Sequence, residues 1–146
     1  MAKVRKILVA VDFSEDSKKT LKYAFDFFRG CGVEMHIVHV IYDPLPEGSY
    51  IPHRSVDEME KSVTDLTMEE LKKFISRKIL NSDEKIEPAV LSGTPYAELI
   101  KYAKKHETEL IVIGSQGMSR LEKMLLGNVT DKVVRKSPIP VMVYKG

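Results

Sequence analysis

Two aliphatic runs, Ile7 to Val11 and Leu110 to Ile113, contain no polar residue to face water and are too short to be helices. Such runs read as strands covered on both faces, the arrangement of a parallel sheet flanked by helices. The sequence between them supplies the helices. Ser14 offers an N-cap, Glu15 and Asp16 follow where carboxylates suit the helix dipole, and Leu21, Ala24, Phe25 and Phe28 fall at i, i+3, i+4 and i+7. This first helix is expected to end near Gly30 and Gly32.

The alternation continues to the end of the chain. A second strand is predicted over Met35 to Tyr42, and Asp43 to Arg54, with three prolines and one glycine, reads as a long loop. Ser55 and Glu58 form a capping-box pattern, and Val63, Leu66, Leu71 and Phe74 continue an apolar stripe, which predicts one helix running to about Leu80. Ile86 to Leu91 is the third strand. Thr94 and Pro95 provide a cap and a pre-set first helical residue before Tyr96, Leu99, Ile100 and Ala103 on one face. A last helix is expected over Val129 to Lys136, stopped by Ser137-Pro138-Ile139-Pro140, and Val141 to Tyr144 closes the pattern as a fifth strand.

Five strands alternating with four helices imply a single-domain α/β fold over residues 1–146. The expected form is an open, five-stranded, mostly parallel sheet with helices on both faces. Ligands of such sheets lie at the carboxyl ends of the strands where the winding reverses. Here those ends are Val11-Asp12, Val40-Ile41-Tyr42 and Ile113-Gly114.

Charge and cysteine usage narrow the classes of function. The 23 basic and 21 acidic residues are scattered rather than massed into a stripe, which argues against nucleic acid as a partner. No apolar run approaches the roughly 18 residues of a membrane span, and the Ile7 to Val11 run is too short for the core of an export signal. A single cysteine, Cys31, forms no internal disulfide and fits a reducing, cytoplasmic setting.

Three of the eight glycines fall between residues 114 and 127, and that clustering requires a cause. Glycine admits positive φ and lets a ligand approach the backbone, and Asn128, Val129 and Thr130 would present free amides at a helix N-terminus, a natural anion site. By spacing alone, Gly114 could equally end a strand and Gly127 make a turn. Neither the phosphate loop of the common NTPases nor Gly-x-Gly-x-x-Gly occurs. What occurs is Gly-x2-Gly-x9-Gly at Gly114, Gly117 and Gly127, together with Ile7-Leu8-Val9-Ala10-Val11-Asp12-Phe13-Ser14, His39-Val40, Gly93-Thr94-Pro95, Ile111-Val112-Ile113-Gly114-Ser115, and Ser137 with Pro140-Val141.

Along its whole length the chain thus resembles the universal stress protein family, ATP-binding branch. The resemblance implies a Rossmann-like fold of the adenine nucleotide alpha-hydrolase kind, and ATP as ligand, with AMP or ADP as alternatives. It implies Ala10, Val11 and Asp12 at the adenine and ribose, the Val40 backbone at the adenine edge, and Gly114 beside the ribose. Gly117, Gly127, Asn128, Val129 and Thr130 would surround the phosphates, with Mg²⁺ or Mn²⁺ bridging phosphate oxygens rather than held in a protein cage. Asp12 has its own logic, since a carboxylate at a strand end accepts from ribose hydroxyls; its other role would be to cap the first helix. The chain departs from the family pattern in two places. Asn128 stands where the family usually has Ser or Thr, and Met118 where a basic residue is common, with Arg120 two positions later.

Other candidates offer less. His36 and His39, three apart on a strand, point to opposite faces and cannot share a metal. His53 and His106 lack ligand spacing and read as solvated, and Ser14, Ser115 and Ser119 have no nucleophile-elbow context. With nothing to position a hydrolytic water, no catalytic residue is assigned and any ATP hydrolysis is expected to be slow. The expected function is a nucleotide-dependent regulatory switch read by a downstream protein; a non-nucleotide interaction module of the same fold, or a slow ATPase, are the alternatives. Both the exposed apolar edge at Val141 to Tyr144 and the resemblance point to a homodimer through the last strand.

Overall fold

The computed structural model describes residues 4–43, 53–116 and 126–146, with side chains from residue 62 onward in the second span. The elements run β1 (Lys6–Ala10), α1 (Glu15–Phe28), β2 (Glu34–Tyr42), α2 (His53–Phe74), α3 (Arg77–Leu80), β3 (Lys85–Gly93), α4 (Pro95–Lys105), β4 (Leu110–Gly114), α5 (Asn128–Lys136) and β5 (Val141–Tyr144). The sheet order is β3-β2-β1-β4-β5, and every neighbouring pair is parallel. From β1 the chain winds outward through β2 to β3, then crosses back over to β4 and on to β5. The winding therefore reverses between β1 and β4, the position at which α/β sheets of this kind open a crevice.

Alternation along the central strands sorts the core into two layers. Ile7, Val9, Val11, Met35, Ile37 and Val112 pack against Leu21, Phe25 and Phe28 of α1 and Leu71 of α2. On the opposite face Leu8, Ala10, Val38, Val40, Ile111 and Ile113 meet Leu99, Tyr102 and Ala103 of α4 and Val133 of α5. The aliphatic runs are thus buried on both sides, as their composition requires: Ile7, Leu8 and Val9 have no exposed surface.

Local signals set most boundaries. The Ser14 hydroxyl accepts from the Ser17 amide and starts α1, which stops at Phe28 before Gly30, whose φ of +80° is a left-handed value that favours glycine. Pro88 lies inside β3 at no cost to the ladder, because β3 is an edge strand and bonds only to β2.

The long helix predicted as far as Leu80 is interrupted. It breaks after Phe74, and Ser76 caps the short α3 by accepting from the Ile79 amide. Serine offers the backbone this alternative bond, whereas the apolar spacing that predicted one helix continues unbroken through Ile75 and Ile79, both buried. The helix also begins at His53 rather than at Ser55, so the last residues of the predicted Asp43 to Arg54 loop belong to α2. Most of that loop lies outside the described residues.

At the other edge, the Pro140 and Tyr144 carbonyls accept from the Ile111 and Ser115 amides at 2.9 Å. By strand alternation, Val141 and Val143 turn their own amides and carbonyls toward the open edge of β5. On α1 beside that edge, Tyr23 stacks on Tyr144 at 4.8 Å between ring centroids and on Phe27 at 5.8 Å. Tyr23 and Phe27 are both exposed.

Candidate functional site

A cleft of about 600 Å³ opens at the carboxyl ends of β1, β2 and β4. Ala10, Val11, Asp12, Val40, Gly114, Gly127, Asn128, Val129 and Thr130 all line it, although they come from four separate stretches of sequence. Gly117, Met118, Ser119 and Arg120 lie outside the described residues. The alternation that makes the core also makes the cleft, since Ala10, Val38, Val40 and Ile113 face α4 and α5 and form its apolar floor.

Asp12 follows β1 and is held by its own turn. Its Oδ1 accepts from the Ser14 amide at 3.0 Å and from the Ser14 hydroxyl, while its amide donates to Ser17 Oγ at 3.2 Å. Ser14 is the helix cap and Asp12 fixes it, so the capping role foreseen for Asp12 is an indirect one. Among the described residues no hydrogen bond reaches Oδ2. The turn depends on Phe13, whose φ of 65° places a bulky side chain in the left-handed region. Such a conformation costs on the order of 1–3 kcal/mol. It is offset by packing: the Phe13 ring sits 4.3 Å from His39 and 5.5 Å, edge-on, from Phe74.

Gly114 is a glycine for a reason that spacing did not reveal. A Cβ there would come within 2.9 Å of Thr20 Oγ1 on α1, and its φ is not positive. The missing side chain admits α1, on the face opposite the cleft floor, rather than admitting a ligand directly. Beyond β4, the Gly127 amide donates to the Ser115 carbonyl at 2.7 Å and the Thr130 hydroxyl donates to the Gly114 carbonyl at 2.6 Å. Thr130 is buried with its hydroxyl committed, so only its backbone remains for a ligand.

The Asp131 amide donates to the Gly127 carbonyl and is the first intrahelical bond of α5, so the amides of Asn128, Val129 and Thr130 have no partner within the helix. Among the described residues no side chain caps this end. Asp12 is the only charged residue lining the described part of the cleft, so positive potential there comes from the backbone of α5.

The structure adds lining residues that were not singled out as contacts: Ser17, Tyr42, Pro95, Leu99 and Gln116. Their signal was positional only, at or just past a strand end or in the first two turns of a helix. The histidines do lie on opposite faces: His39 donates from Nδ1 to the Val11 carbonyl at 2.9 Å, whereas His36 joins Tyr102 and Glu34. His106 is not simply solvated as expected; it lies half-buried, its ring tilted against that of Tyr102 at 4.0 Å between centroids. Burial and the nearby His36 hold it below the usual histidine range. Among the described residues no group of three or more His, Cys, Asp or Glu side chains could hold a metal ion.

A parallel sheet wound outward from its centre, with a crevice at the reversal lined by the N-terminus of a helix, defines a doubly wound α/β ligand-binding domain. Residues 3–145 match the universal stress protein family, and the chain belongs to that family. It is 31% identical to universal stress protein MJ0577 of Methanocaldococcus jannaschii over 97% of this chain and 94% of that protein. It is also 31% identical to universal stress protein YxiE of Bacillus subtilis, over 96% of this chain and 98% of that one.

Among solved structures, that of MJ0577 superposes with a TM-score of 0.77 over 97% of this chain and 96% of that one. Two more distant structures share the fold and were solved with adenine nucleotides. One is a universal stress protein in complex with cAMP, 20% identical with a TM-score of 0.66 over 98% of each chain. The other, from Archaeoglobus fulgidus, is in complex with dAMP, 23% identical with a TM-score of 0.57 over 97% of this chain and 98% of that one.

Proposed function

We propose that this chain binds an adenine nucleotide, ATP in the first instance, and acts as a regulatory domain whose surface changes with occupancy. One observation carries the reading: Asp12 and the first residues of α5, Asn128, Val129 and Thr130, whose amides have no partner within the helix, line the same apolar-floored cleft. Its volume falls within the roughly 300–1,000 Å³ of small-molecule sites. The base would lie against Ala10, Val11 and the Val40 backbone, the ribose at Asp12 and Gly114, and the phosphates at Gly117, Gly127 and the start of α5. The cAMP and dAMP complexes of the relatives support adenine as the base.

Mg²⁺ or Mn²⁺ fits this arrangement only through the phosphates. The described part of the cleft has one carboxylate and no metal-ligand cluster, so the ion would take phosphate and water oxygens. Asn128 leaves the backbone donors at the start of α5 intact, since an amide side chain in place of a hydroxyl does not alter the main chain. The output we infer is conformational and read by a protein partner in the cytoplasm. Among the described residues no helix is long and apolar enough to cross a membrane.

A homodimer through β5 completes the reading. Four residues of open strand edge are small beside the roughly 800 Å² per partner of a stable interface. The exposed Tyr23 and Phe27 next to Tyr144 supply further apolar area on the same side. Calorimetric titration of the parent and of Gly117→Val with Mg-ATP tests the central claim. Binding by the parent and its loss in the variant are expected; no binding at millimolar nucleotide would end it.

A further inference from the structure

Along β2, Val38, Val40 and Tyr42 share the face that looks toward α4, and they differ sharply in exposure at 0%, 8% and 66%. The floor of the cleft becomes its rim over two residues. Tyr42 pairs in register with Gly93, two residues before the Pro95 that opens α4, and Pro95 and Leu99 form the facing wall. A large aromatic ring therefore stands at the mouth, between the end of one strand and the first turn of the next helix.

Tyr42 and His39 carry the only aromatic rings that line the described part of the cleft. His39 is committed, its Nδ1 to the Val11 carbonyl and its ring to Phe13. No aromatic or cationic side chain among the described residues packs on the Tyr42 ring. The lining residues Ala10, Val38, Val40, Pro95, Leu99 and Ile113 are all apolar. Beside the Val40 backbone, apolar contact and stacking are the sources of affinity such a lining offers a base, and both call for a planar surface opposite Val40.

We propose that Tyr42 is the base-stacking residue of the cleft, its ring closing over the outer face of a purine seated on Val40. The proposal rests on the nucleotide reading above and adds to it a residue on which affinity for the base depends. Because the ring is already exposed, truncating it removes no core contact, and the fold tolerates the change. Stacking of a base on an aromatic ring is expected to change affinity by about tenfold or more on alanine substitution.

The chain contains no tryptophan, so Tyr42→Trp places a single fluorescent probe at the rim. Mg-ATP is titrated into the parent and Tyr42→Ala by calorimetry, and Mg-ATP and inorganic tripolyphosphate into Tyr42→Trp by fluorescence. The expected result is a Kd about tenfold weaker for Tyr42→Ala, an unchanged melting temperature, and Trp emission quenched by Mg-ATP but not by tripolyphosphate. Equal affinities in the parent and Tyr42→Ala would overturn the stacking role and leave the nucleotide site standing. Emission unmoved by saturating Mg-ATP, or moved equally by tripolyphosphate, would overturn it too. A parent that binds no Mg-ATP would instead overturn the site itself, and this proposal with it.

Discussion

The hydroxyl of Thr130 donates to the carbonyl of Gly114 at 2.6 Å, tying the first turn of α5 to the last residue of β4. The bond is buried and closes the segment between them at its base. It fixes the first turn of α5, whose leading amides have no partner within the helix, against β4.

Thr130→Val keeps the shape of the side chain and leaves the Gly114 carbonyl without this donor. A loss of about 1–3 kcal/mol in urea unfolding is expected. Nucleotide affinity should fall as well, since the amides of α5 are no longer held in place. Thr130→Ser, which keeps the hydroxyl, should restore most of both.

Gly114→Ala should destabilise through α1 and not through the cleft. Its Cβ would press on Thr20 Oγ1, itself bonded to the Asp16 carbonyl at 2.7 Å, and overpacking of this kind costs about 1–3 kcal/mol. Combining it with Thr20→Ala relieves the clash, so the two losses should fall short of additive. Strict additivity in denaturant melts would show that the glycine serves some other contact.

The two oxygens of Asp12 should separate by substitution. Asp12→Asn retains an acceptor for Ser14 and replaces the free carboxylate oxygen, so the fold should hold while Mg-ATP binding weakens about tenfold, the scale of one charge-assisted hydrogen bond. Asp12→Ala also removes the support of the α1 cap and should cost about 1 kcal/mol more in stability. Paired calorimetry and thermal melts of the two variants provide the check.

Alkaline pH should loosen the opposite end of the sheet. Burial, and then the charges of Glu87 and Glu34, push the Tyr102 phenol from 10.0 up to about 12, while its hydroxyl bonds His36 at 2.5 Å. The unfolded chain releases this proton first, so the stabilisation is complete below pH 10.0 and is lost as pH rises toward about 12. Comparing melting temperatures across that window with those of Tyr102→Phe isolates the group. The variant should start lower, with His36 Nδ1 unpartnered, and fall less steeply.

Val143→Pro removes an amide that faces the open edge of β5 and spares the bonds to β4. If two copies pair through this edge, size exclusion should shift the protein from a dimer toward the 16.6 kDa monomer. A parent that elutes only as a monomer at micromolar concentration would exclude the dimer outright.

The α/β alternation, the five strands and the positions of most helix starts were legible in the sequence because each depends on a local pattern. Aliphatic runs buried on both faces have to be inner strands, and Ser14 or Pro95 acts within one turn of its own helix. The candidate site was legible residue by residue wherever it coincides with a strand end or a helix start, as at Asp12, Val40 and Asn128. The chain alone also carried the family pattern. What it could not decide was set by contacts between distant segments. Gly114 is small because Thr20 on another element lies against it, and Phe13 keeps a left-handed backbone because His39 and Phe74 pack on its ring. The long helix breaks at Ser76 although its apolar spacing runs on. The sequence put Tyr42 at a ligand-bearing strand end, but only the register of β2 with β3, which pairs it with Gly93, stood its ring at the mouth near Pro95. Local pattern fixes which residues face inward, and only packing in three dimensions determines which of them meet.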